Sequence, residues 1–193
     1  MKIVLYPHPA LRYSAVPLKK IDTRVHEFAR QMFELMYEAK GLGLAANQVG
    51  LPYQLLVINL TADPVQKDRE EVYVNPVVVE RGGGTIEQEE GCLSFPGLFQ
   101  KIRRPKTAKV RAYNLKGESV EIVAGDMAGR VLQHEIDHLH GVLFIDKMGM
   151  IGKMASRTRL KELERDYAKA QAKKDIAPDS EILRELKELE TQA

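Results

Sequence analysis

The sequence predicts an α+β protein, with antiparallel or mixed sheets around a central helix and a helical extension at the C-terminus. Segments of strand character at 53–60, 71–80 and 106–124 precede a helical segment at 126–139. Strands that alternate with helices favour a doubly wound α/β fold, whereas strands grouped ahead of a helix favour α+β. We expect residues 1–152 to form the main domain and residues 153–193 to form the extension.

The first half of the chain contains one predicted helix and two predicted strands. After an extended arm, residues 25–40 carry apolar side chains at helical spacing. These are Phe28, Met32, Leu35 and Met36. Gly41 is a candidate C-cap for this helix. Residues 53–60 predict a buried strand, and residues 71–80 predict a second strand that Asn75 and Pro76 interrupt. Gly82–Gly84 predicts a flexible turn before residues 84–90.

The second half begins with a predicted hairpin. Residues Lys106–Asn114 and Glu118–Ala124 alternate like strands and flank a turn at Lys116 and Gly117. A helix follows at about 126–139. The last forty residues are highly charged and predict two helices, separated by a break at 175–180 that contains Pro178.

Composition limits the function classes. The chain has 193 residues, a net charge of +2 and one cysteine. A charge this small gives no global field for DNA binding. No apolar run approaches the roughly 20 residues of a membrane span, and the N-terminus does not resemble a signal peptide. A single unpaired cysteine is typical of a reducing compartment. We therefore expect a cytoplasmic protein.

The most informative motif lies in the predicted helix at 126–139. Residues His134–His138 read H-E-I-D-H. On a helix, residues four apart share a face, so both imidazoles can bind one metal ion, with Glu135 beside it as a general base. The alternative is a chance spacing on a solvated face. The apolar residues around the motif argue against it: Val131, Leu132, Ile136 and Leu139.

A catalytic site of this kind needs a third protein ligand and one open position for water. His140 is too close to His138 to reach the same ion from the same helix. Cys92, the only cysteine, lies in a Gly- and Pro-containing segment, E-G-C-L-S-F-P-G. A lone cysteine is most often an inert buried residue. As a ligand, its thiolate with two imidazoles suits Fe(II), Zn, Co or Ni.

Three blocks resemble the peptide deformylase family. They are Gly41–Gln48 (G-L-G-L-A-A-N-Q), Glu90–Ser94 (E-G-C-L-S) and His134–His138, in that order. The resemblance covers roughly residues 1–150 and is highly specific because all three blocks occur together. It implies removal of the formyl group from the N-terminal methionine of newly made polypeptides, with release of formate. Residues Ala39 and Lys40 depart from the family, in which acidic residues are common at this point.

The resemblance also implies residue roles. Cys92, His134 and His138 would bind one divalent metal ion, with Fe(II) expected in the cell and Zn, Ni or Co as alternatives. Glu135 would act as the general base. The side-chain amide of Gln48 and the backbone N–H of Leu93 would donate hydrogen bonds to the oxyanion.

Other residues are expected to support the metal or contact the substrate. Metal-bound histidines usually donate their second N–H to a partner, and the candidates are Glu90, Asp137 and Arg104, with Arg104 paired to Glu90. The candidate substrate contacts are Gly43, Leu44, Gly91, Val131 and the stem of Arg130, with Phe95 and Gly97 as further parts of the cleft. Gly43 would let a peptide approach the main chain. Val131 has an alternative role in the core.

Two interpretations of the C-terminal tail remain open. Residues 153–174 contain eight Lys or Arg and three acidic residues, whereas residues 175–193 contain two and six. The tail either packs back on its own domain or docks on the ribosome through the basic helix. We favour the first, because runs of mixed charge are usually solvated faces.

The alternatives to a deformylase are another H-E-x-x-H metallopeptidase, or a non-catalytic ribosome-associated protein with a structural metal. The first would need a ligand downstream of His138, where Glu162, Glu164 and Asp166 look solvated. The second would need a fourth protein ligand.

Overall fold

The computed structural model describes residues 1–193 and confirms an α+β fold built on one antiparallel sheet of five strands in the order β1-β2-β3-β4-β5. The strands are β1 Gly43–Ala45, β2 Leu55–Ile58, β3 Glu71–Gly91, β4 Phe99–Tyr113 and β5 Ser119–Gly125. The helices are α1 Thr23–Glu38, α2 Asp126–Leu139, α3 Met150–Ala172 and α4 Asp179–Glu190.

Strand β2 lies at the centre of the core, between two helices. Its alternate residues point to opposite faces: Leu55 and Val57 pack with the side chains of α1, whereas Leu56 and Ile58 pack with those of α2. Both faces are therefore buried, which explains why the strand is apolar without alternation. As a result α2, which carries the His134–His138 motif, is held against the sheet.

Strand β3 differs from the prediction. Residues 71–91 form one long strand paired with β4, and the expected turn at Gly82–Gly84 is absent. The chain instead stays in the sheet with register shifts between Val74 and Val77, Val78 and Glu80, and Gly82 and Thr85. The residues that suggested breaks occupy β-bulges, where an extra residue leaves the ladder but the strand continues.

The end of α1 also differs. The helix ends at Glu38, and Lys40, not Gly41, takes the left-handed conformation (φ 56°) beyond it. Gly41 has a different role, because a Cβ there would lie 2.7 Å from Cδ1 of Leu93. This glycine allows the segment after α1 to approach the segment that carries Cys92.

Other predictions from the sequence are confirmed. The hairpin turns at Asn114–Gly117, with Ser119 opposite Tyr113, although its first strand begins at Phe99 and not at Lys106. Helix α2 spans residues 126–139 as expected. No helix combines the length and the apolar character that crossing a membrane requires.

The last helix packs back on the molecule. Ile182 and Leu186 of α4 share a buried cluster with Leu11 of the N-terminal arm. Tyr53 donates a hydrogen bond to the Leu189 carbonyl at 2.8 Å. This confirms the expectation that the end of the tail packs on its own domain.

Candidate metal centre and cleft

Helix α2 presents two imidazoles to the interior. His134 and His138 are one turn apart, and their ring centroids are 5.0 Å from each other. His138 is 1% exposed and His134 8%. Both side chains therefore face the interior, as the apolar residues around the motif predicted.

Cys92 follows the last residue of β3 and meets these imidazoles. Its Sγ lies 3.3 Å from Nε2 of His138, and the donor atoms of Cys92, His134 and His138 all lie within 4.8 Å of one another. A tetrahedral ion with metal–sulfur and metal–nitrogen bonds of ordinary length would separate such donors by about 3.5 Å. The three side chains thus fit one divalent metal ion.

The carboxylate of Glu90 contacts the imidazole of His134. Its Oε2 is 3.0 Å from Nδ1 of His134, which leaves Nε2 of that ring for a metal. Arg104 donates to the same carboxylate from Nε at 2.6 Å and from Nη2 at 2.9 Å. Burial opposes ionisation, but the hydrogen bonds from His134 and Arg104 outweigh it and lower the pKa of Glu90 to about 2.

The network extends beyond Glu90 on both sides. Arg104 also donates to Asp137 at 2.7 Å, and Lys147 lies 3.1 Å from the same carboxylate. Arg130, one turn before His134, donates to Glu90, to Gln88 at 2.9 Å and to the carbonyls of Ile86 and Ile102. The sequence predicted the pair of Arg104 with Glu90 but not the bonds of Arg130. Because the guanidinium of Arg130 makes its hydrogen bonds to groups of the protein, only the aliphatic stem of this side chain is left to face the cleft.

The two imidazoles have opposite titration behaviour. Burial, followed by the charges on His134 and Arg104, lowers the pKa of His138 well below its usual value, so this ring is neutral. Burial also acts against a proton on His134, but the hydrogen bonds to Cys92 and Glu90 raise its pKa to about 10. A metal ion at these donors therefore competes with a proton on His134. Nδ1 of His138 is buried without a hydrogen-bond partner.

Glu135 is buried beside the ligands. Its Oε2 has no hydrogen-bond partner, and burial raises the pKa of the carboxyl to about 7. Gly43 lies against it: a Cβ at Gly43 would come within 2.7 Å of Oε1 of Glu135. Glycine is required here for close approach, so the first block of the sequence shapes the space around the candidate base.

Two hydrogen-bond donors lie close to Cys92. The Oε1 atom of Gln48 accepts a bond from the Ala45 N–H at 2.9 Å, which orients the amide. Its Nε2 then lies 3.4 Å from Sγ of Cys92 and 3.3 Å from Oγ of Ser94. The N–H of Leu93 makes no hydrogen bond within the chain. Ser94 was not among the predicted site residues, although it lies in the second block.

These groups line a cleft of about 730 Å³. Of the predicted substrate contacts, the cleft is lined by Gly43, Gly91, Arg130, Val131, Phe95 and Gly97. Leu44 does not line it, because that side chain is fully buried in the core between α1 and the sheet. Val131 lies where both interpretations from the sequence would place it, because it lines the cleft and also packs in the core beneath α2.

The N-terminal arm bonds to the first two blocks of the site and to the residue that follows the third. Val4 donates to the Gln48 carbonyl at 2.8 Å, Tyr6 to the Ser94 carbonyl at 3.0 Å and Ala15 to the Leu139 carbonyl at 2.9 Å. Asn47 adds side-chain bonds to the carbonyls of Ala10 and Tyr13, at 3.2 and 2.6 Å. The relative positions of the three blocks therefore depend on backbone contacts with the arm.

The remaining histidines and acids do not extend the cluster. Nδ1 of His140 is 2.8 Å from the Ile136 carbonyl, and Nδ1 of His8 accepts a bond from Ala10. Cys92, His134 and His138 form the one group of three potential ligands in the structure. The acids of α3 are outside it, so neither a ligand downstream of His138 nor a fourth protein ligand is present.

Known proteins are similar to this chain in sequence and fold. Residues 1–154 match the polypeptide deformylase family. A peptide deformylase of Rhodopirellula baltica is 38% identical over 192 residues, which is 98% of this chain and 94% of that protein. One from Neisseria gonorrhoeae is 37% identical over 86% of this chain and 96% of its own length.

Solved structures of the same family have a similar fold. A peptide deformylase of Plasmodium falciparum superimposes with a TM-score of 0.84 at 38% identity, covering 86% of this chain and 97% of that one. Peptide deformylase 1B of Arabidopsis thaliana gives a TM-score of 0.84 at 37% identity, over 91% and 95% of the two chains. With the three sequence blocks gathered around one cleft, these matches show that the chain belongs to the peptide deformylase family.

Proposed function

We propose that the chain removes the formyl group from the N-terminal methionine of newly synthesised polypeptides and releases formate. The observation that carries this proposal is the convergence of the donor atoms of Cys92, His134 and His138, in a cluster of which Cys92 and His134 line one cleft together with Glu135. Membership of the peptide deformylase family supports the same reaction.

The metal is proposed to be a single divalent ion, with Fe(II) in the cell and Zn, Ni or Co able to replace it. Cys92, His134 and His138 would hold it, because a thiolate and two imidazoles suit these metals. When bound, the ion supplies Lewis acidity that lowers the pKa of water and polarises the formyl carbonyl.

The chain's own residues then divide the proton transfers. Glu135 lies in a buried position, with a pKa of about 7 and one oxygen free of partners. It would take the proton of the attacking water and pass it to the leaving amine nitrogen of methionine. The carbon–nitrogen bond breaks in that second step, so formate and a free amine leave.

Two donors would stabilise the charge that develops on the formyl oxygen. The Nε2 of Gln48 is held towards Cys92, and the Leu93 N–H has no partner in the chain. Removal of one such donor typically lowers kcat by about 100- to 1000-fold. Gly43 and Gly91 would lie against the substrate main chain, with Val131 and the stem of Arg130 beside the methionine side chain.

Formate release from a formyl-Met-Ala peptide tests the proposal. The protein is purified without oxygen, because a thiolate-bound ferrous ion and Cys92 both oxidise. Glu135→Gln is measured beside it, with the metal content of both. Turnover by the parent alone at equal metal content would support the reaction and the base together. A fully metallated parent that releases no formate would refute the proposal.

The tail supports a further proposal, that its basic helix α3 contacts ribosomal RNA. Basic residues recur at every fourth position on α3, are exposed and form no ion pair: Lys153, Arg157, Lys161 and Arg165. Residues at this spacing lie along one side of a helix, which suits a row of phosphates. Changing these residues to Gln should weaken ribosome binding and its salt dependence. Changing Arg184 and Lys187 on α4 should not, and equal effects would refute the proposal.

A further inference from the structure

The segment that carries Cys92 is irregular. Residues 92–98, here called the metal loop, join β3 to β4 without belonging to a helix or a strand. Two turn bonds lie within it, from the Phe95 N–H to the Cys92 carbonyl at 2.9 Å and from the Leu98 N–H to the Phe95 carbonyl at 3.1 Å. The loop also carries the Leu93 N–H, which makes no hydrogen bond in the chain. Contacts from other segments therefore have to fix the direction of this N–H.

Arg159 of α3 provides a direct contact with the metal loop. Its Nε and Nη2 donate to the carbonyl oxygen of Pro96 at 2.9 and 2.7 Å. That carbonyl accepts no backbone hydrogen bond. Nη1 of the same guanidinium donates to Glu162, about one turn further along the helix, at 3.0 Å. Because a guanidinium is planar and rigid, these three bonds hold it in one orientation against the loop.

The same helix also reaches the metal loop through the N-terminal arm. Glu164 accepts a hydrogen bond from the Tyr6 hydroxyl at 3.1 Å. The Tyr6 N–H donates to the Ser94 carbonyl at 3.0 Å, and the ring of Tyr6 stacks on Phe95 with the centroids 4.9 Å apart. Contacts that start from α3 thus hold three consecutive residues of the loop, although α3 contains no predicted ligand, base or oxyanion donor.

We propose that Arg159 is a positioning residue for the reaction, which holds the metal loop so that the Leu93 N–H points at the formyl oxygen in the transition state. This inference rests on the proposed function. A misplacement of about 1 Å near the reacting atoms can lower the rate about 100-fold. Because the loop keeps its contacts with Tyr6, we expect a smaller loss of kcat, about 10-fold, when the contact of Arg159 is removed. KM should not change, since the charge on that oxygen develops only in the transition state.

The test measures kcat per bound metal ion and KM for a formyl-Met-Ala peptide in the parent, Arg159→Met and Arg159→Lys. Methionine keeps the apolar stem of the side chain but removes its donors, so kcat should fall about 10-fold at unchanged KM and metal content. Lysine can donate one bond to the Pro96 carbonyl and should keep part of the rate. The matched control is Arg184→Met, because Arg184 on α4 also pairs with an acid three residues away but forms no hydrogen bond with the metal loop. It should keep the kcat of the parent.

Three results would overturn the inference. One is an Arg159→Met variant with the kcat of the parent. Another is a higher KM at unchanged kcat, which would place Arg159 in substrate binding. The third is a lower melting temperature or metal content with kcat per bound metal ion unchanged, which would mean that the arginine only stabilises the fold. Failure of the proposed function looks different, since the parent itself would then release no formate.

Discussion

Glu90→Gln is the most informative change near the metal centre. The carboxylate accepts hydrogen bonds from Arg104, Arg130 and His134. An amide of the same shape leaves the buried guanidinium of Arg130 without an anion and leaves Arg104 with Asp137 as its only anionic partner. Breaking a buried pair in this way costs about 3–5 kcal/mol. A second route gives a similar value: a pKa held at about 2 instead of 4.5 corresponds to about 3 kcal/mol.

The pKa of Glu90 also determines how its contribution to stability depends on pH. The folded-state pKa of Glu90 is lower than its ordinary value, so its contribution is complete above about pH 4.5 and is lost as the pH falls towards 2. Glu90→Gln should therefore lower the free energy of unfolding by about 3 kcal/mol at pH 7 and by much less near pH 2. Because His134 also loses its partner, metal affinity should fall about 10- to 100-fold.

Urea unfolding and competition with a chelator measure these two effects. Glu87→Gln is the matched control, since Glu87 lies on the same strand, is exposed and forms no hydrogen bond or ion pair through its side chain. It should change stability by less than about 0.5 kcal/mol. If Glu90→Gln unfolds and binds metal like the control, Glu90 does not organise the centre as described.

Three further predictions follow from other parts of the structure. Gly43→Ala places a Cβ 2.7 Å from Oε1 of Glu135 and should lower kcat/KM about 100-fold. The control is Gly149→Ala, because position 149 has open space around it. Equal activities of the two variants in the formate assay would contradict the argument. Leu186→Ala on α4 should lower the free energy of unfolding by about 2–5 kcal/mol, measured by thermal or urea unfolding, because the side chain is buried. The half-exposed Leu183 should tolerate alanine. Equal losses of stability in the two variants would count against α4 as part of the core. Removal of metal by a chelator should abolish formate release, and re-addition of Fe(II) should restore it. Activity that survives complete metal removal would exclude the proposed chemistry.

The parts of the fold that the sequence predicted are those that local patterns determine. Helix α2 was predicted with its observed bounds, because its apolar spacing and the His134–His138 motif agree on a helix. Strand β3 was predicted wrongly as two pieces and a turn. Gly82–Gly84 suggests a break when only neighbours in sequence are considered, but pairing with β4 keeps these residues in the sheet through bulges.

Partners from distant segments account for the errors at the site. Arg130 lies one turn before His134 on the same face of α2, which was the available signal that both could reach one group. The group itself, Glu90, comes from β3, and so the bonds of Arg130 could not be read from α2 alone. Leu44 shows the converse: it lies in a characteristic block, yet its side chain is in the core.

The N-terminal arm has a consequence for the order of folding. Val4 and Tyr6 bond to the first and second blocks of the site, and Ala15 bonds to Leu139, the residue after the third block, so its bond forms only once α2 is in place. Helix α4 then covers part of the arm, through Ile182 and Leu186. Contacts between residues so distant in sequence form slowly, because the loop must close before they contribute. We therefore expect the arm to be among the last segments to settle, with the geometry of the site completed only when the arm meets α2 and α4.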